Sequence, residues 1–361
     1  MKALITGGCG FVGSNLAAHL LGPGLADPVQ ANSITVFDNL SRHGSSANLA
    51  WLQTLSRADQ DSIEFIHGDI RNAFDVESVV KTLQPDVIFH LAGQVAMTTS
   101  MQNPRRDFEI NALGSINVLE AVRLHTPKTA IIYASTNKVY GNLERLDLVE
   151  TATRYQPRAS KNGVDESFAI EFHTPYGCSK GAADQYMQDY ARVFGLNTVV
   201  LRHSTIYGGR QFATYDQGWI GWFCRQALES KAEPMRPPFT ISGDGKQVRD
   251  LLHVSDAVRC YIAAYEHMAE ARGHAFNIGG GMENSMSLLE LLQYLEDRLK
   301  LKLNYTFVPW RQSDQKFFVA DNSKAERIFH WVPRTTREEG LESVIQWESK
   351  HQLGSQLTGE L

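Results

Sequence analysis

The chain has 361 residues, 43% of them apolar and 21% charged, which is enough for one large or two modest domains with a substantial core. A formal net charge of −5 with no long basic run argues against a nucleic-acid partner. Cys9, Cys178, Cys224 and Cys260 show no C-x-x-C spacing, which argues against a zinc site or a disulfide framework and fits a reducing cytosol.

The start, "MKALITGG", is too short in apolar residues for a signal peptide. No run of 18 apolar residues is present to span a membrane. A cytoplasmic protein with no metal is therefore expected. "ALIT" (3–6) reads as the first strand and runs into "TGGCGFVGS" (6–14). The spacing Gly7-x-x-Gly10-x-x-Gly13 permits a tight turn and lets backbone N–H groups approach a pyrophosphate at a helix N-terminus. A glycine triplet alone is equally a plain strand–turn–helix junction; its place between the first strand and a helix favours the dinucleotide reading.

Five further runs read as strands: "ITVFD" (34–38), "IEFIHG" (63–68), "VIFHLA" (87–92), "AIIYAS" (130–135) and "TVVLR" (198–202). They are apolar throughout, which predicts burial on both faces. Helices are predicted after Gly10 and over 73–83, 104–124 and 177–194. That alternation predicts an α/β fold, a doubly wound parallel Rossmann sheet.

Asp38, at the end of the second strand, suits the two hydroxyls of an adenosine ribose and would repel a 2′-phosphate, which favours NAD over NADP. Arg42 follows and offers a weaker case for a phosphate. Asp69, after the third strand, has two readings: a partner for the adenine amine, or a cap for the helix after it. The expected cofactor contacts are Gly7, Gly10, Phe11, Val12, Gly13, Asp38, Asn39, Asp69, Ile70, Leu91, Ala92 and Lys180.

From about 204 the chain becomes rich in Gly, Pro and aromatics. From 281 it mixes an amphipathic helix, "SLLELLQYLEDRL" (287–299), with short extended pieces. A smaller mixed α/β domain is predicted from 204–246 plus 281–361, beside a main domain of 1–203 plus 247–280.

"YGCSK" places Tyr176 and Lys180 four apart, on one face of a helix. A tyrosine has a pKa near 10; a neighbouring ammonium, with a positively charged nicotinamide ring adding to its effect, is expected to lower it toward a usable proton acceptor. Alone the pair is common. It gains meaning after a dinucleotide loop and a strand ending in Ser135-Thr136.

Together, the glycine loop, "HLAG" (90–93), that strand end and Tyr176/Lys180 resemble the extended short-chain dehydrogenase/reductases that act on nucleotide sugars. The resemblance runs from Met1 to about Trp331. It implies that Thr136 hydrogen-bonds a sugar hydroxyl, Tyr176 takes its proton and Lys180 holds the nicotinamide ribose, while hydride passes to NAD. Sugar 4,6-dehydratases of this family carry Asp-Glu directly after the threonine. Here Asn137 and Lys138 stand there and cannot do that acid–base work, so dehydration is disfavoured.

The runs "FDNLSR" (37–42), "HLAGQVAMTTS" (90–100), "STNKVYG" (135–141), "HTPYGCSKGAADQYM" (173–187), "RHSTIYGGRQFATYDQGW" (202–219) and "GKQVRDLLH" (245–253) resemble the CDP-paratose 2-epimerases. That resemblance implies oxidation at C2 of a CDP-hexose to a transient ketone and return of hydride to the opposite face, in the sugar chemistry of lipopolysaccharide O-antigen. A C4 epimerase of UDP-hexoses would share the fold and the triad, and it or another nucleotide-sugar oxidoreductase of the same family, such as a net dehydrogenase, is the alternative. A non-enzymatic NAD-binding regulator is argued against by the intact Thr136, Tyr176 and Lys180.

On the substrate side the resemblance implies Arg249 at the pyrophosphate, with Arg311 nearby; a pair between Arg249 and Asp250 or another carboxylate is the plainer reading. Gln94, Met97 and Thr98 follow the fourth strand and are expected beside the sugar. Thr205 replaces an asparagine of many relatives, within "RHSTIYG". His173 is read either as a sugar contact or as a loop histidine. The helices at 104–124 and 177–194 are implied to serve a homodimer or homotetramer.

Overall fold

The computed structural model describes residues 1–22, 33–55, 63–159 and 162–358. Five strands, β1 (Lys2–Thr6), β2 (Ser33–Asp38), β3 (Ile63–His67), β4 (Val87–His90) and β5 (Ala130–Thr136), join Asn197–His203 and Ala275–Ile278 in one sheet. Its order is Ala275–Ile278, Asn197–His203, β5, β4, β1, β2, β3, and every neighbouring pair is parallel. The order reverses between β1 and β4, so the carboxyl ends of those two strands open the crevice where such sheets take ligands.

The six strands read from sequence all lie in this sheet. The expectation of two-faced burial fails at β3, where Glu64 and His67 are exposed. Among the described residues it is an edge strand, with β2 as its only sheet neighbour. The seventh strand, Ala275–Ile278, was not read as one. The helix expected over 104–124 is three pieces: Pro104–Phe108, a π-helical turn Glu109–Leu113, and Gly114–His125. The helix expected from 177 begins earlier, as Thr174–Phe194.

Residues Tyr176, Ser179, Lys180, Ala183, Asp184 and Met187 recur at helical spacing along the last of these and are buried. The face carries a charge. Arg202 Nε and Nη2 donate to the two oxygens of Asp184 at 2.9 Å each, and Ser135 Oγ donates to the same carboxylate at 2.7 Å. Arg202 also donates to Tyr140 Oη at 2.8 Å, and Tyr140 donates to Asn277 Oδ1 at 2.8 Å.

A second core, with Ile220, Phe223, Leu251, Leu291, Leu295 and Ile345 among its residues, lies beside the sheet. Its helix Leu288–Leu299 starts at Ser287, which accepts from Glu290 N while the Glu290 side chain accepts from Ser287 N. The strand Val248–His253 pairs with Thr205–Tyr207, Ser285–Ser287 and Phe317–Phe318. Further on, Ala325, Phe329 and Trp331 return to the main core. Among the described residues no helix is long and apolar enough to cross a membrane.

Replacing Asp184 with alanine leaves the Arg202 guanidinium buried without its carboxylate. Urea unfolding of Asp184→Ala should show a loss of about 3–5 kcal/mol. A loss below about 1 kcal/mol would show that the pair is not the buried lock described here.

Candidate active site

β1 delivers the chain to Gly7, which has φ +70°, and a Cβ there would lie 2.6 Å from Ala92 N. A Cβ on Gly13 would collide with the Gly7 carbonyl oxygen. The helix Phe11–Leu21 starts at Gly10 with no side-chain cap, which leaves its N-terminus open to an anion. The glycines thus form a cradle that any side chain would fill, and a dinucleotide pyrophosphate fits it.

At the end of β2, Asp38 accepts from Cys9 N at 3.0 Å and Leu40 N at 2.8 Å. Burial raises its pKa, and these amides oppose the rise. Asp69 is held at about 2, chiefly by the Arg71 side chain, with Asn39 donating to it at 3.0 Å. Of the two readings of Asp69, the helix cap is incorrect. Asn72 caps Ala73–Leu83, accepting from Phe74 N at 3.1 Å, and Asp69 lies three residues too early. The Ile70 side chain packs into the core against Gly114.

A cavity of about 680 Å³ opens beside this cradle, lined by Phe11, Val12, Leu91, Thr136, Tyr176 and Lys180 among others. The Thr136 Oγ1 accepts from Lys138 N at 3.3 Å and so caps the 3₁₀ turn Asn137–Tyr140. Tyr176 and Lys180 project from the helix Thr174–Phe194 and are 7% and 3% exposed.

The expected acidification of Tyr176 does not occur in the protein alone. Its pKa is pushed up to about 12, first by burial, with the Thr136 hydroxyl opposing and the Asp107 charge adding to the rise. Lys180 is itself pushed down to about 7 by burial, against the pull of Asp107 and Asp184. Its ammonium lies over the Tyr133 ring, 4.5 Å from the centroid. Desolvation outweighs the partner that the sequence supplies.

Sequence reasoning missed the polar cluster beneath these two residues. Asn111, in the π turn, donates to Gln94 O and Ser179 Oγ at 3.0 Å each and accepts from Gln94 N at 2.9 Å. Ser179 in turn donates to buried Asp107. The signal was present as three polar residues, Asp107, Asn111 and Ser179, on helix faces that otherwise pack inward. Two buried histidines were also missed. His90 sits between Thr6 and Ser115, and His203 between Ser135 O and the Tyr261 hydroxyl. Burial pushes both down to about 3, so they are neutral.

Of the expected substrate-side residues, Met97, Thr98, Thr205, Arg249 and Arg311 line the cavity. Gln94 does not; its side chain turns back onto Ala96, with Nε2 donating to Ala96 O at 2.7 Å. Thr205 accepts from Trp219 Nε1 at 3.3 Å. Arg249 pairs with Asp314 at 2.7 Å rather than with Asp250. Asp250 is fully buried and accepts from Gly281 N and Ala320 N. Arg311 donates to Tyr215 O at 2.9 Å and lies over the Tyr215 ring. His173 pairs with Glu171 at 3.2 Å and is absent from the cavity wall. Lys138, Asp314 and Trp219 are wall residues not anticipated as such.

This fold and this site define a nucleotide-cofactor enzyme, and comparison makes the class specific. Residues 3–279 match the NAD dependent epimerase/dehydratase family, so the chain belongs to that family and is an NAD-dependent enzyme of the epimerase class. It is 54% identical over 97% of its length, and 99% of the relative's, to a CDP-paratose 2-epimerase of Salmonella typhi. It is 30% identical over 96% of its length, and 92% of the relative's, to dTDP-glucose 4,6-dehydratase 1 of Escherichia coli. Among solved structures, UDP-glucuronic acid 4-epimerase from Bacillus cereus, in complex with UDP-glucuronic acid and NAD, matches with a TM-score of 0.80 and 27% identity, covering 97% of this chain and all of that one.

The depressed Lys180 has a consequence for stability. Its ordinary pKa of 10.5 in the unfolded chain drops to about 7 on folding, so at pH values between these the unfolded chain binds the extra proton. The penalty is full below about pH 7 and fades as pH rises through 10.5. Cofactor-free Lys180→Met should therefore unfold at higher denaturant than the parent at pH 6, with the gain shrinking toward pH 10. A gain independent of pH would contradict the desolvated ammonium.

Proposed function

We propose that the chain inverts C2 of a CDP-hexose, in the direction CDP-paratose to CDP-tyvelose or its reverse, through a transient 2-keto sugar. The observation that carries this reading is Asn137-Lys138 beside an intact Thr136, Tyr176 and Lys180. The site has what oxidation of a sugar carbinol needs and lacks the carboxylate pair that elimination needs. The name of the Salmonella typhi relative supports C2 and the cytidine nucleotide.

Bound NAD would supply the hydride acceptor for oxidation at C2 and the hydride donor for its return. Gly7, Gly10, Phe11, Val12 and Gly13 are the groups to hold its pyrophosphate, Asp38 and Asn39 its adenosine ribose, and Lys180 its nicotinamide ribose. Asp69, Ile70, Leu91 and Ala92 flank it. Thr136 orients the substrate hydroxyl. Tyr176 is a protonated phenol at neutral pH in the protein alone; once it has lost that proton, its phenolate Oη takes the proton of the C2 hydroxyl as the hydride leaves and gives it back when the hydride returns. Met97, Thr98 and Thr205 shape the sugar side, and Arg249 and Arg311 the nucleotide side. In this reading 1–203 plus 247–280 hold the cofactor, and 204–246 plus 281–361 hold the nucleotide sugar.

Assembly as a homodimer or homotetramer is part of the proposal. Phe108, Leu113, Leu124, Tyr186, Val193 and Phe194 are exposed on the two helical stretches 104–125 and 174–194, and a second copy would cover them. A cytoplasmic setting agrees with Cys9, Cys224 and Cys260 being buried free thiols.

NMR of the NAD-loaded protein with CDP-, UDP- and GDP-sugars should show inversion at C2 of a CDP-hexose and no accumulation of NADH. Inversion at C4 of a UDP-hexose instead would overturn the reading. Tyr176→Phe should retain NAD and turn over roughly 10²-fold more slowly or worse; an undiminished rate would remove Tyr176 from its role.

A further inference from the structure

Lys138 stands where the dehydratases place a carboxylate, and its geometry gives it a positive task. It follows Thr136 by two residues, on the 3₁₀ turn, and lines the cavity with Arg249 and Asp314. Its Nζ lies 3.4 Å from Gln315 Oε1 and 3.8 Å from Asp314 Oδ1. The same Asp314 oxygen accepts from Arg249 Nη2 at 2.7 Å. One carboxylate oxygen therefore sits between two cations in the wall of the cavity.

The charges there do not balance. Two cations face one carboxylate, and the side chains of Lys138, Arg249 and Asp314 are 15%, 10% and 17% exposed. Mutual repulsion is visible, since Arg249 is among the causes that push Lys138 down to about 8, after burial. Gln315 has no capacity left to compensate. Its Oε1 takes Asn137 Nδ2 at 2.9 Å as well as Lys138, and its Nε2 donates to Gly141 O at 2.6 Å. An ammonium has three donors and a guanidinium five. Lys138 spends one on Gln315 within hydrogen-bond distance. Arg249 spends one on Val248 O and one on Asp314. A doubly charged diphosphate matches the remaining donors and the surplus charge.

We propose that Lys138 is a substrate-binding residue which, together with Arg249, clamps the diphosphate of the nucleotide sugar, the position near both cations being held by Asp314 until the ligand arrives. The inference rests on the nucleotide-sugar reading above and deepens it. It makes the lysine a selector for substrates carrying a diphosphate, set two residues from the threonine that orients the sugar. Anchored this way, the diphosphate stays fixed while the hexose turns to offer its second face.

Isothermal titration calorimetry of the NAD-loaded protein with CDP, UDP, cytidine and inorganic pyrophosphate tests it. Lys138→Met should weaken CDP about 10- to 100-fold, as expected for a lost hydrogen bond to a charged group, and weaken cytidine by less than about twofold. Lys138→Arg should recover most of the CDP affinity, because it restores the charge. Equal losses for CDP and cytidine, no loss for CDP, or no recovery in Lys138→Arg would overturn the clamp. The parent reading fails separately. If UDP and CDP bind alike and both weaken in Lys138→Met, the clamp stands and the cytidine preference falls. Binding of pyrophosphate that is sensitive to Lys138 supports the clamp, and pyrophosphate binding that ignores the substitution counts against it.

Discussion

The buried Asp184–Arg202 pair sets the geometry on which the site depends. Asp184 lies eight residues, about two helical turns, beyond Tyr176 on the same buried face. Its carboxylate takes Arg202 from one strand and Ser135 from β5. Ser135 immediately precedes Thr136. One carboxylate thus fixes the helix of Tyr176 and Lys180 against the strand end that presents Thr136. Such a pair adds little net stability over apolar packing, because both charges lose their water. What it supplies is register, since a one-turn slip of the helix would leave Arg202 unpaired in the core.

The dryness that makes this lock strict also governs the chemistry. Tyr176 is driven toward its neutral form, Lys180 loses much of its ordinary basicity, and His90 and His203 are neutral. In the protein alone Tyr176 and the two histidines are neutral and Lys180 is only partly charged at neutral pH. The cluster of Asn111, Ser179 and Asp107 carries the polar contacts beneath them. Elsewhere in the cavity wall Lys138, Arg249, Asp314 and Arg311 gather charge. In the proposed function a polyanionic ligand would meet those cations, and its sugar would lie over Thr136, Tyr176 and Lys180.

Much of this was legible in the sequence for a physical reason. Parallel strands buried between helix layers read as continuous apolar runs, and all six of those recognised lie in the sheet. The glycine spacing and the Tyr176/Lys180 pair are local constraints, each fixed by one turn or one helix face. What stayed hidden was non-local. The π turn that aims Asn111 leaves no periodic signature, and the half-burial of β3 follows from its edge position rather than its composition. Gln94 was expected in the cavity because it follows a strand end, yet its own loop captures the amide. The expected lowering of the Tyr176 pKa rests on its four-residue spacing from Lys180 and on the cofactor's charge. Burial, which no spacing reveals, decides the direction of both pKa shifts.

Asn137 and Lys138 join these themes. They stand where an acid and base would be needed to draw water out of a keto sugar, and they place an amide beside Gln315 and a cation beside Asp314 in the cavity wall. In the proposed function one hydrogen leaves a carbinol carbon and returns to that same carbon without passing through solvent. The most direct test follows a CDP-hexose deuterated at C2 through turnover in ordinary water, with NMR reading both configuration and label. Epimerisation by this route gives an inverted C2 that keeps its deuterium. Inversion with the label lost to solvent, or a product that has lost water, would contradict it.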